Sequence, residues 1–352
     1  MSDDFPVSET RVLAVASHVV SGNVGNKIAV FALQSLGCDV AALNTVQFSN
    51  HTGYGQWKGS RVSAHEISEL YAGLKQSYLD DFDMMLTGYI PGAEAVEAVG
   101  EIGKDLHNRA QDKPGSFFWL LDPVMGDNGR LYVAPEVVPA YKSLIQYADL
   151  IVPNQFEAEQ LSGVKITDMA SLKAAISELH QCYGIPHVVI TSVSLDQNPV
   201  TPDAHDLCVI GSTRTSDRRA RFFKISFPSI DCYFSGTGDM FGALTAVRMR
   251  EAVSNAGEAL QNTASWLSSD DVRPLDLPLA RAVEKVIASM HEVLDKTAHG
   301  MNQVIEKIES KSGAIKGAQL RAAKSKAAEL RLVRNLGSLK HPQVKFEAVE
   351  LD

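Results

Sequence analysis

The stretch FFWLLDP at residues 117–123 decides the fold class of this chain. Its apolar part is too short for a buried helix, but it suits a strand that is covered on both faces of a sheet. Helical patterns occupy residues 92–109 before it and residues 136–148 after it. A short buried strand between two helices is typical of βαβ units, in which consecutive strands lie parallel.

The same alternation recurs along the chain. Further apolar runs predict strands at residues 11–15, 38–43, 84–87, 150–152 and 187–191. Helical patterns separate them, at residues 26–35, 64–76, 155–162 and 171–183. Residues 222–225 alternate in polarity and predict an edge strand. We therefore expect an α/β fold whose mostly parallel central sheet is flanked by helices on both faces, with the ligand site at the carboxyl ends of the strands.

The C-terminal third contains two less regular segments. The polar segment 257–278 precedes a long helical periodicity at 280–311, and we interpret it as a surface insertion. The stretch 311–330 is rich in Lys and Ala and is compatible with either a helix or a loosely ordered segment. We expect one domain spanning residues 1–352.

Composition restricts the class of protein. With 45% hydrophobic and 21% charged residues the chain is typical of a soluble globular protein, and its net charge of -9 argues against a nucleic-acid partner. Its four cysteines lie far apart without a C-x-x-C pair, which favours a reducing compartment over a disulfide framework or a zinc site. No apolar run reaches the roughly 20 residues of a membrane span, and no signal peptide is evident. We expect a cytoplasmic location, and the sequence does not exclude the nucleus.

The motif SGTGD at residues 235–239 carries the clearest chemistry. It precedes an apolar helical pattern at 240–250, so its glycines lie at a helix N-terminus, where free N–H groups bind phosphate. A carboxylate beside a phosphate is repelled by it, which favours Asp239 as a base that removes a proton from an attacking hydroxyl. These residues alone leave open that Asp239 only caps the helix. The chain has no Walker motif, so phosphate binding would depend on residues 236–239.

Acidic residues follow the strand predicted at residues 117–121. Asp122 ends it and Asp127 comes five positions later, a pair that suits a divalent cation bridging nucleotide phosphates. The alternative is that both are turn residues.

Polar residues also follow two later strands. Asn154 and Glu157 have the spacing of a capping box, and Thr191 and Ser192 end the strand predicted at residues 187–191. Since the carboxyl ends of parallel strands meet at one edge, we expect these groups and Asp122 in a single cleft.

The two N-terminal strands are followed by segments of another kind. Residues 17–26 (SHVVSGNVGN) and 47–55 (QFSNHTGYG) are dense in hydroxyls, amides and glycine, with a few apolar side chains. Pockets for small polar aromatic ligands have this composition. For His18 and His51 we favour a structural hydrogen-bonding role over proton transfer.

These motifs resemble the pyridoxal kinases of the ribokinase-like superfamily over most of the chain. The matching segments are residues 17–26, 46–54, 86–89, 122–127, 153–159 and 236–239. The last is common to the superfamily, whereas the run 47–54 is specific and indicates the substrate. The resemblance implies ATP-dependent phosphorylation of the 5′-hydroxymethyl group of pyridoxal, and also of pyridoxine and pyridoxamine, in vitamin B6 salvage. It further implies a ribokinase-like sheet, a homodimer, Mg²⁺ and a monovalent cation such as K⁺.

The resemblance also assigns roles to residues. Asp239 would be the general base, and the backbone of Gly236, Thr237 and Gly238 would stabilise the transferring phosphoryl group. The vitamin would bind, besides Asp239, to Ser17, Val46, Phe48, Thr52 and Tyr89. ATP would bind to Asp122, Asn154, Glu157, Thr191, Ser192 and Thr237. Metal ligands would be Asp122, Asp127 and Glu157.

Two positions depart from the family pattern. Val152 replaces a threonine, which removes a hydroxyl near the expected monovalent-cation site, and the loop 127–132 is shorter than usual. Two alternatives stay open: another kinase of the superfamily, such as one acting on hydroxymethylpyrimidine, and a non-catalytic B6-binding relative.

Overall fold

The computed structural model describes residues 5–193, 206–310 and 316–351. Its strands are β1 (Thr10–Val19), β2 (Cys38–Phe48), β3 (Gly59–Arg61), β4 (Met84–Thr87), β5 (Phe118–Leu121), β6 (Gly126–Asp127), β7 (Arg130–Leu131), β8 (Leu150–Ile151), β9 (His187–Val193), β10 (Asp206–Arg214), β11 (Ala220–Pro228) and β12 (Val349–Glu350). Its helices are α1 (Asn26–Ser35), α2 (Ala64–Gln76), α3 (Ala93–Arg109), α4 (Val137–Leu144), α5 (Gln155–Ser162), α6 (Met169–Tyr183), α7 (Thr237–Ala256), α8 (Glu258–Gln261), α9 (Pro278–Glu309), α10 (Gly317–Ala327) and α11 (Leu336–Lys340).

Ten strands form one sheet in the order β12-β11-β10-β9-β8-β5-β4-β1-β2-β3. The strands from β9 to β2 in this order are parallel, while β3 at one edge and β10 to β12 at the other are antiparallel. The prediction of a mostly parallel sheet is therefore confirmed. Residues 222–225 form a strand as predicted, within β11, but its predicted edge position is wrong, because the C-terminal β12 pairs with it through Phe223 and Lys224.

Helices cover both faces of this sheet, as predicted. In β5, Phe118 and Leu120 point into a core layer that contains α1, α7 and α9, while Trp119 and Leu121 point into the layer formed with α2 to α6. Alternate side chains of a strand point to opposite faces, so a strand that is apolar throughout is buried on both.

The segment 257–278 is anchored in the core instead of forming only a surface loop. Trp266 is 2% exposed and stacks on Phe118, with ring centroids 4.2 Å apart, and its indole N–H donates to the carbonyl of Gly115 at 3.0 Å. The guanidinium of Arg221 donates to backbone carbonyls of Ser268, Ser269 and Val272. The polar composition of the segment conceals this large apolar anchor, since burial of an indole outweighs many solvated neighbours.

The C-terminal part of the stretch 311–330 is helical in α10, and Leu330 behind it is buried in the core. Residues 311–315 of that prediction lie outside the described residues. None of the helices in the described ranges is both long and apolar enough to cross a membrane.

Candidate active site

The carboxyl ends of the parallel strands are tied together at one edge of the sheet. Gly88 donates its N–H to the carbonyl of Val15 at 2.9 Å, and Asp122 donates to Thr87 at 2.9 Å. Farther along, the N–H of Thr191 donates to the carbonyl of Pro153 at 3.0 Å. These bonds bring the residues that follow β4, β5 and β8, and the last residues of β9, to one edge of the sheet.

Helix α7 begins at this edge with a tight glycine turn. Gly236 precedes the helix with φ of 82°, and a Cβ there would lie 2.6 Å from the carbonyl oxygen of Asn23 and 2.5 Å from Cδ1 of Ile28. Only glycine fits this left-handed, crowded position. Since no side chain caps the terminus within the described residues, the first N–H groups of α7 can bind an anion.

Asp239 lies in the first turn of α7 and does not cap it. Its Oδ2 accepts the N–H of Gly25 at 2.7 Å, so its carboxylate is held by the loop that follows β1. Burial raises its pKa to about 6, against the opposing effect of the Gly25 hydrogen bond. A carboxylate with this pKa is ionised at pH 7, yet it is a better proton acceptor than an ordinary Asp.

Two glycines, Gly25 and Gly88, flank Asp239. A Cβ on Gly25 would lie 2.0 Å from the carbonyl oxygen of Ser17, and a Cβ on Gly88 would lie 3.6 Å from Oδ1 of Asp239. The loops after β1 and β4 therefore approach the carboxylate closely from two sides.

Asp122 provides a second carboxylate near the terminus of α7, and this residue is buried. A Cβ on Gly238 would lie 3.5 Å from its Oδ2. Burial, and then the charges of Glu157 and Asp239, raise its pKa well above the usual range. Its carboxylate forms no hydrogen bond within the described part of the chain, which fits a group that meets a cation when phosphates are bound.

Glu157 and Asn154 form the predicted capping box at the start of α5. Glu157 also accepts the N–H groups of Met125 at 2.8 Å and Gly126 at 3.3 Å, while the amide of Asn154 donates to the carbonyl of Gly126 at 2.7 Å. Burial raises the pKa of Glu157 to about 7, and these N–H groups oppose the shift. The two side chains thus fix the loop behind Asp122, and the Glu157 charge reaches Asp122 through space.

Asp127 is placed apart from this buried pair. It is exposed, and its carboxylate accepts the backbone N–H of Asn128 at 2.7 Å in the tight hairpin of β6 and β7. The described residues contain no group of three or more His, Cys, Asp or Glu arranged to hold a metal. A Mg²⁺ ion here would therefore depend on phosphate and water oxygens as well as on Asp122.

An apolar cavity of about 230 Å³ lies beside the start of α7. Thr191, Ser192 and Thr237 line one side of it. The other walls come from β10, β11 and α9, and include Val209, Phe227, Ile287, Met290 and Leu294. Sequence reasoning found the polar side but missed the apolar walls, because their residues are far apart in the chain and look like ordinary core positions.

The residues expected at the vitamin lie at the ends of β1, β2 and β4. Val46 is buried and Phe48 is half-buried, with its ring 6.4 Å from that of Trp57. Tyr89 is half-buried, and burial raises its pKa. Thr52 is exposed in a short 3-10 turn.

Ser17 lies against Gly25, the residue that holds Asp239. A Cβ on Gly53, next to Thr52, would lie 3.5 Å from Oγ of Ser235, just before α7. The vitamin segments therefore border the same carboxylate as the phosphate segments.

One residue at this border was not predicted from the sequence. The carboxylate of Glu329, which follows α10, accepts hydrogen bonds from Asn23, His51 and Tyr54. A glutamate within a Lys/Ala-rich stretch gives no local signal of such contacts.

The mostly parallel sheet has helices on both faces, and its strand ends meet a glycine-bounded helix terminus and the carboxylates of Asp122 and Asp239. This arrangement is that of a small-molecule kinase with the ribokinase-like fold. The family model described as phosphomethylpyrimidine kinase matches residues 62–273. The chain is 35% identical to pyridoxal kinase of Ovis aries over an alignment of 353 residues, which covers 97% of this chain and 99% of that one. It is 37% identical over 287 residues to pyridoxal kinase of Homo sapiens, covering 79% and 89%.

The solved structures agree. Pyridoxal kinase from Leishmania donovani in complex with ADP and pyridoxamine superposes with a TM-score of 0.76 at 30% identity, covering 97% of this chain and 100% of that chain. This chain belongs to the pyridoxal kinase family.

Proposed function

We propose that this protein transfers the γ-phosphoryl group of ATP to the 5′-hydroxymethyl group of pyridoxal, and also of pyridoxine and pyridoxamine. The product from pyridoxal is pyridoxal 5′-phosphate, so the reaction belongs to vitamin B6 salvage. The observation that carries the proposal is the half-buried Asp239 carboxylate, held by the N–H of Gly25 at the glycine-bounded terminus of α7. Relatives named pyridoxal kinase, one of them solved with ADP and pyridoxamine, support the choice of substrates.

Asp239 would act as the general base. Its Oδ2 is held by the N–H of Gly25, which leaves the other oxygen to accept the proton of the substrate hydroxyl. Its pKa is raised to about 6, which makes the carboxylate more basic, and because this value is still below 7 the group is ionised at neutral pH.

The terminus of α7 would hold the transferring group. The free N–H groups of Thr237 and Gly238, together with the helix dipole, favour the charge that spreads over the equatorial oxygens in the transition state. Gly238 is exposed to the cleft, so a phosphoryl group can approach the backbone closely.

The nucleotide would extend from this terminus into the apolar cavity. Thr191 and Ser192 offer hydroxyls at the mouth, and the apolar walls suit a flat aromatic base. Asn154 and Glu157 would contribute by holding the loop that carries Asp122.

Cations complete the proposal. Asp122 and, at longer range, Glu157 would attract Mg²⁺, which when bound to ATP neutralises phosphate oxygens. A monovalent cation such as K⁺ is proposed from the family, although Val152 is buried at 4% exposure and provides no hydroxyl.

A homodimer in the cytoplasm is proposed on the same family basis. Light scattering of the purified chain tests the dimer, since a particle of one chain mass would contradict it.

A kinase acting on hydroxymethylpyrimidine is the second candidate, favoured by the description of the matching family model. That match begins at residue 62, however, and so leaves out the segments 17–26 and 46–54 that would contact the acceptor. What the match covers is the phosphate-binding part, which both kinds of kinase require.

A coupled ATP-turnover assay separates these candidates. Pyridoxal, pyridoxine, pyridoxamine and hydroxymethylpyrimidine are compared with K⁺ and with Na⁺, and we expect the highest kcat/KM with a B6 vitamer. Preference for hydroxymethylpyrimidine would overturn the substrate. Vitamin binding without ATP consumption would indicate a non-catalytic relative.

A further inference from the structure

We propose that Glu329 is a positioning residue that holds two substrate loops together over the vitamin side of the cleft. The substrate loops are residues 20–25, after β1, and residues 49–58, after β2. The proposal rests on the proposed function, because that function makes these loops the contact surface of the vitamin.

The carboxylate of Glu329 bridges the two loops directly. Oε2 accepts the backbone N–H of Asn23 at 2.6 Å, and Oε1 accepts from Nε2 of His51 at 3.1 Å and from the hydroxyl of Tyr54 at 3.0 Å. The side chain of Asn23 in turn donates to the carbonyl of Leu330 at 2.9 Å. One side chain therefore links three points on the two loops, which are also joined near their first residues by the N–H of Ser21 donating to the carbonyl of Ser49 at 3.0 Å.

These contacts are strong because they are partly shielded from water. The side chain of Glu329 is 13% exposed and that of His51 is 10% exposed. Burial acts to raise the pKa of Glu329, but the hydrogen bonds from His51, Asn23 and Tyr54 outweigh it and hold the pKa below its ordinary value. Hydrogen bonds to a carboxylate are shorter and stronger than neutral ones.

Glycine makes the approach of the first loop possible. Gly22 has φ of 104°, and a Cβ there would lie 2.6 Å from Oε1 of Glu329. A side chain at this position would push the loop away from the carboxylate.

Both loops reach the reacting groups. The first loop ends at Gly25, whose N–H holds Asp239. In the second loop, Gly53 faces Ser235, just before α7, and its carbonyl accepts the hydroxyl of Ser325 at 3.5 Å. A small cavity of about 40 Å³ between Ser235, Gly53 and Glu329 marks where the loops and the C-terminal segment meet. Through these loops Glu329 would hold the vitamin contacts in place for binding.

The test compares the full-length wild type with Glu329→Ala by steady-state kinetics in both substrates. We expect KM for pyridoxal to rise about tenfold or more, because three donors lose a charged acceptor. KM for ATP and kcat should stay within about twofold, because the terminus of α7 and the apolar cavity are untouched. The matched control is Glu306→Ala, which removes an exposed carboxylate from α9.

Two further variants keep the test decisive if Glu329→Ala folds poorly. Tyr54→Phe removes one donor only, and we expect KM for pyridoxal to rise about threefold. Glu329→Gln keeps an acceptor for Asn23 and can donate to His51, so it should rescue part of the loss.

A purely structural role for Glu329 would lower the melting temperature or kcat and leave KM for pyridoxal unchanged, which would overturn the proposal. Equal rises in both KM values would overturn it as well. If the wild type does not phosphorylate B6 vitamers, the proposed function is wrong. The role of Glu329 is then decided by the same KM comparison with the acceptor that the wild type does phosphorylate.

Discussion

The two halves of the cleft are built in different ways. The phosphate half, defined by Asp122, residues 154–157, residues 191–192 and the start of α7, lies on regular elements packed against the sheet. The vitamin half, defined by the substrate loops, is joined by the carboxylate of Glu329, which lies 275 to 306 positions farther along the chain. The matching family model, residues 62–273, contains the phosphate half and neither substrate loop nor Glu329.

This difference indicates how one chemistry serves several acceptors. A helix terminus and strand-end carboxylates bind phosphate and a cation whatever the acceptor is, whereas the loops that contact the acceptor vary and need separate support. Variants in the two halves should therefore change different kinetic constants.

Asp239→Asn should have the largest effect, because it removes the base at the boundary between the halves. We expect kcat to fall by roughly 10²–10⁴-fold, the usual scale for a positioned general base. Pyridoxal binding, measured by calorimetry, should change little, since the asparagine oxygen can still accept the N–H of Gly25. Asp295→Asn, at an exposed position on α9, is the control. Near-normal turnover of Asp239→Asn would show that Asp239 is not the general base.

Asp122→Asn should affect the phosphate half alone. Loss of the buried charge should lower kcat/KM for MgATP by about 10–100-fold, with KM for pyridoxal nearly constant. Steady-state kinetics at varied ATP measure this. Asp127→Asn is the matched comparison and should cost much less, because the Asp127 carboxylate is exposed and bonded to Asn128. A larger loss for Asp127→Asn would mean that the hairpin, and not the buried strand end, carries the cation.

The pH dependence of kcat/KM for pyridoxal should follow the protonation of Asp239. Burial raises the pKa of Asp239 from 3.8 to about 6, so its protonated, inactive fraction grows as pH falls through 6. At saturating MgATP, kcat/KM for pyridoxal should be level above this pH and fall about tenfold per unit below it. Because burial also raises the pKa of Glu157, to about 7, the profile is repeated in Glu157→Gln, where the limb near pH 6 should persist. A midpoint near the ordinary Asp value would contradict the assignment.

Local patterns were sufficient to predict most of the fold. Predicted residues 26–35, 64–76, 84–87 and 155–162 coincide with α1, α2, β4 and α5, because short buried strands and one-sided helices leave their periodicity in the sequence. Strand β12 could not be predicted, since two residues pair with β11 only after the chain has folded. The anchoring of the segment 257–278 by Trp266 likewise depends on a contact with Phe118.

The site residues also differ in whether a local sequence pattern indicates them. Asp122 could be identified because it directly follows a recognisable strand. Asp239 could be identified because it lies beside a glycine-bounded helix start. Glu329 and the apolar walls of the cavity could not, because their function comes from partners distant in sequence. In both halves, therefore, the sequence indicated only residues that stand beside a recognisable local pattern.

Val152→Thr should have the smallest effect on activity, and it tests how far the phosphate half extends. The side chain of Val152 is 4% exposed and packs in the core layer with α7, so an added hydroxyl would face apolar atoms. We expect a lower melting temperature, from burying a hydroxyl without a partner, and a ratio of activities in K⁺ and Na⁺ within about twofold of the wild type. Val152→Ala, which loses packing without adding oxygen, separates the two effects. A several-fold gain in K⁺ activation with threonine alone would instead place a monovalent-cation ligand at the end of β8, and the phosphate half would then include this strand end.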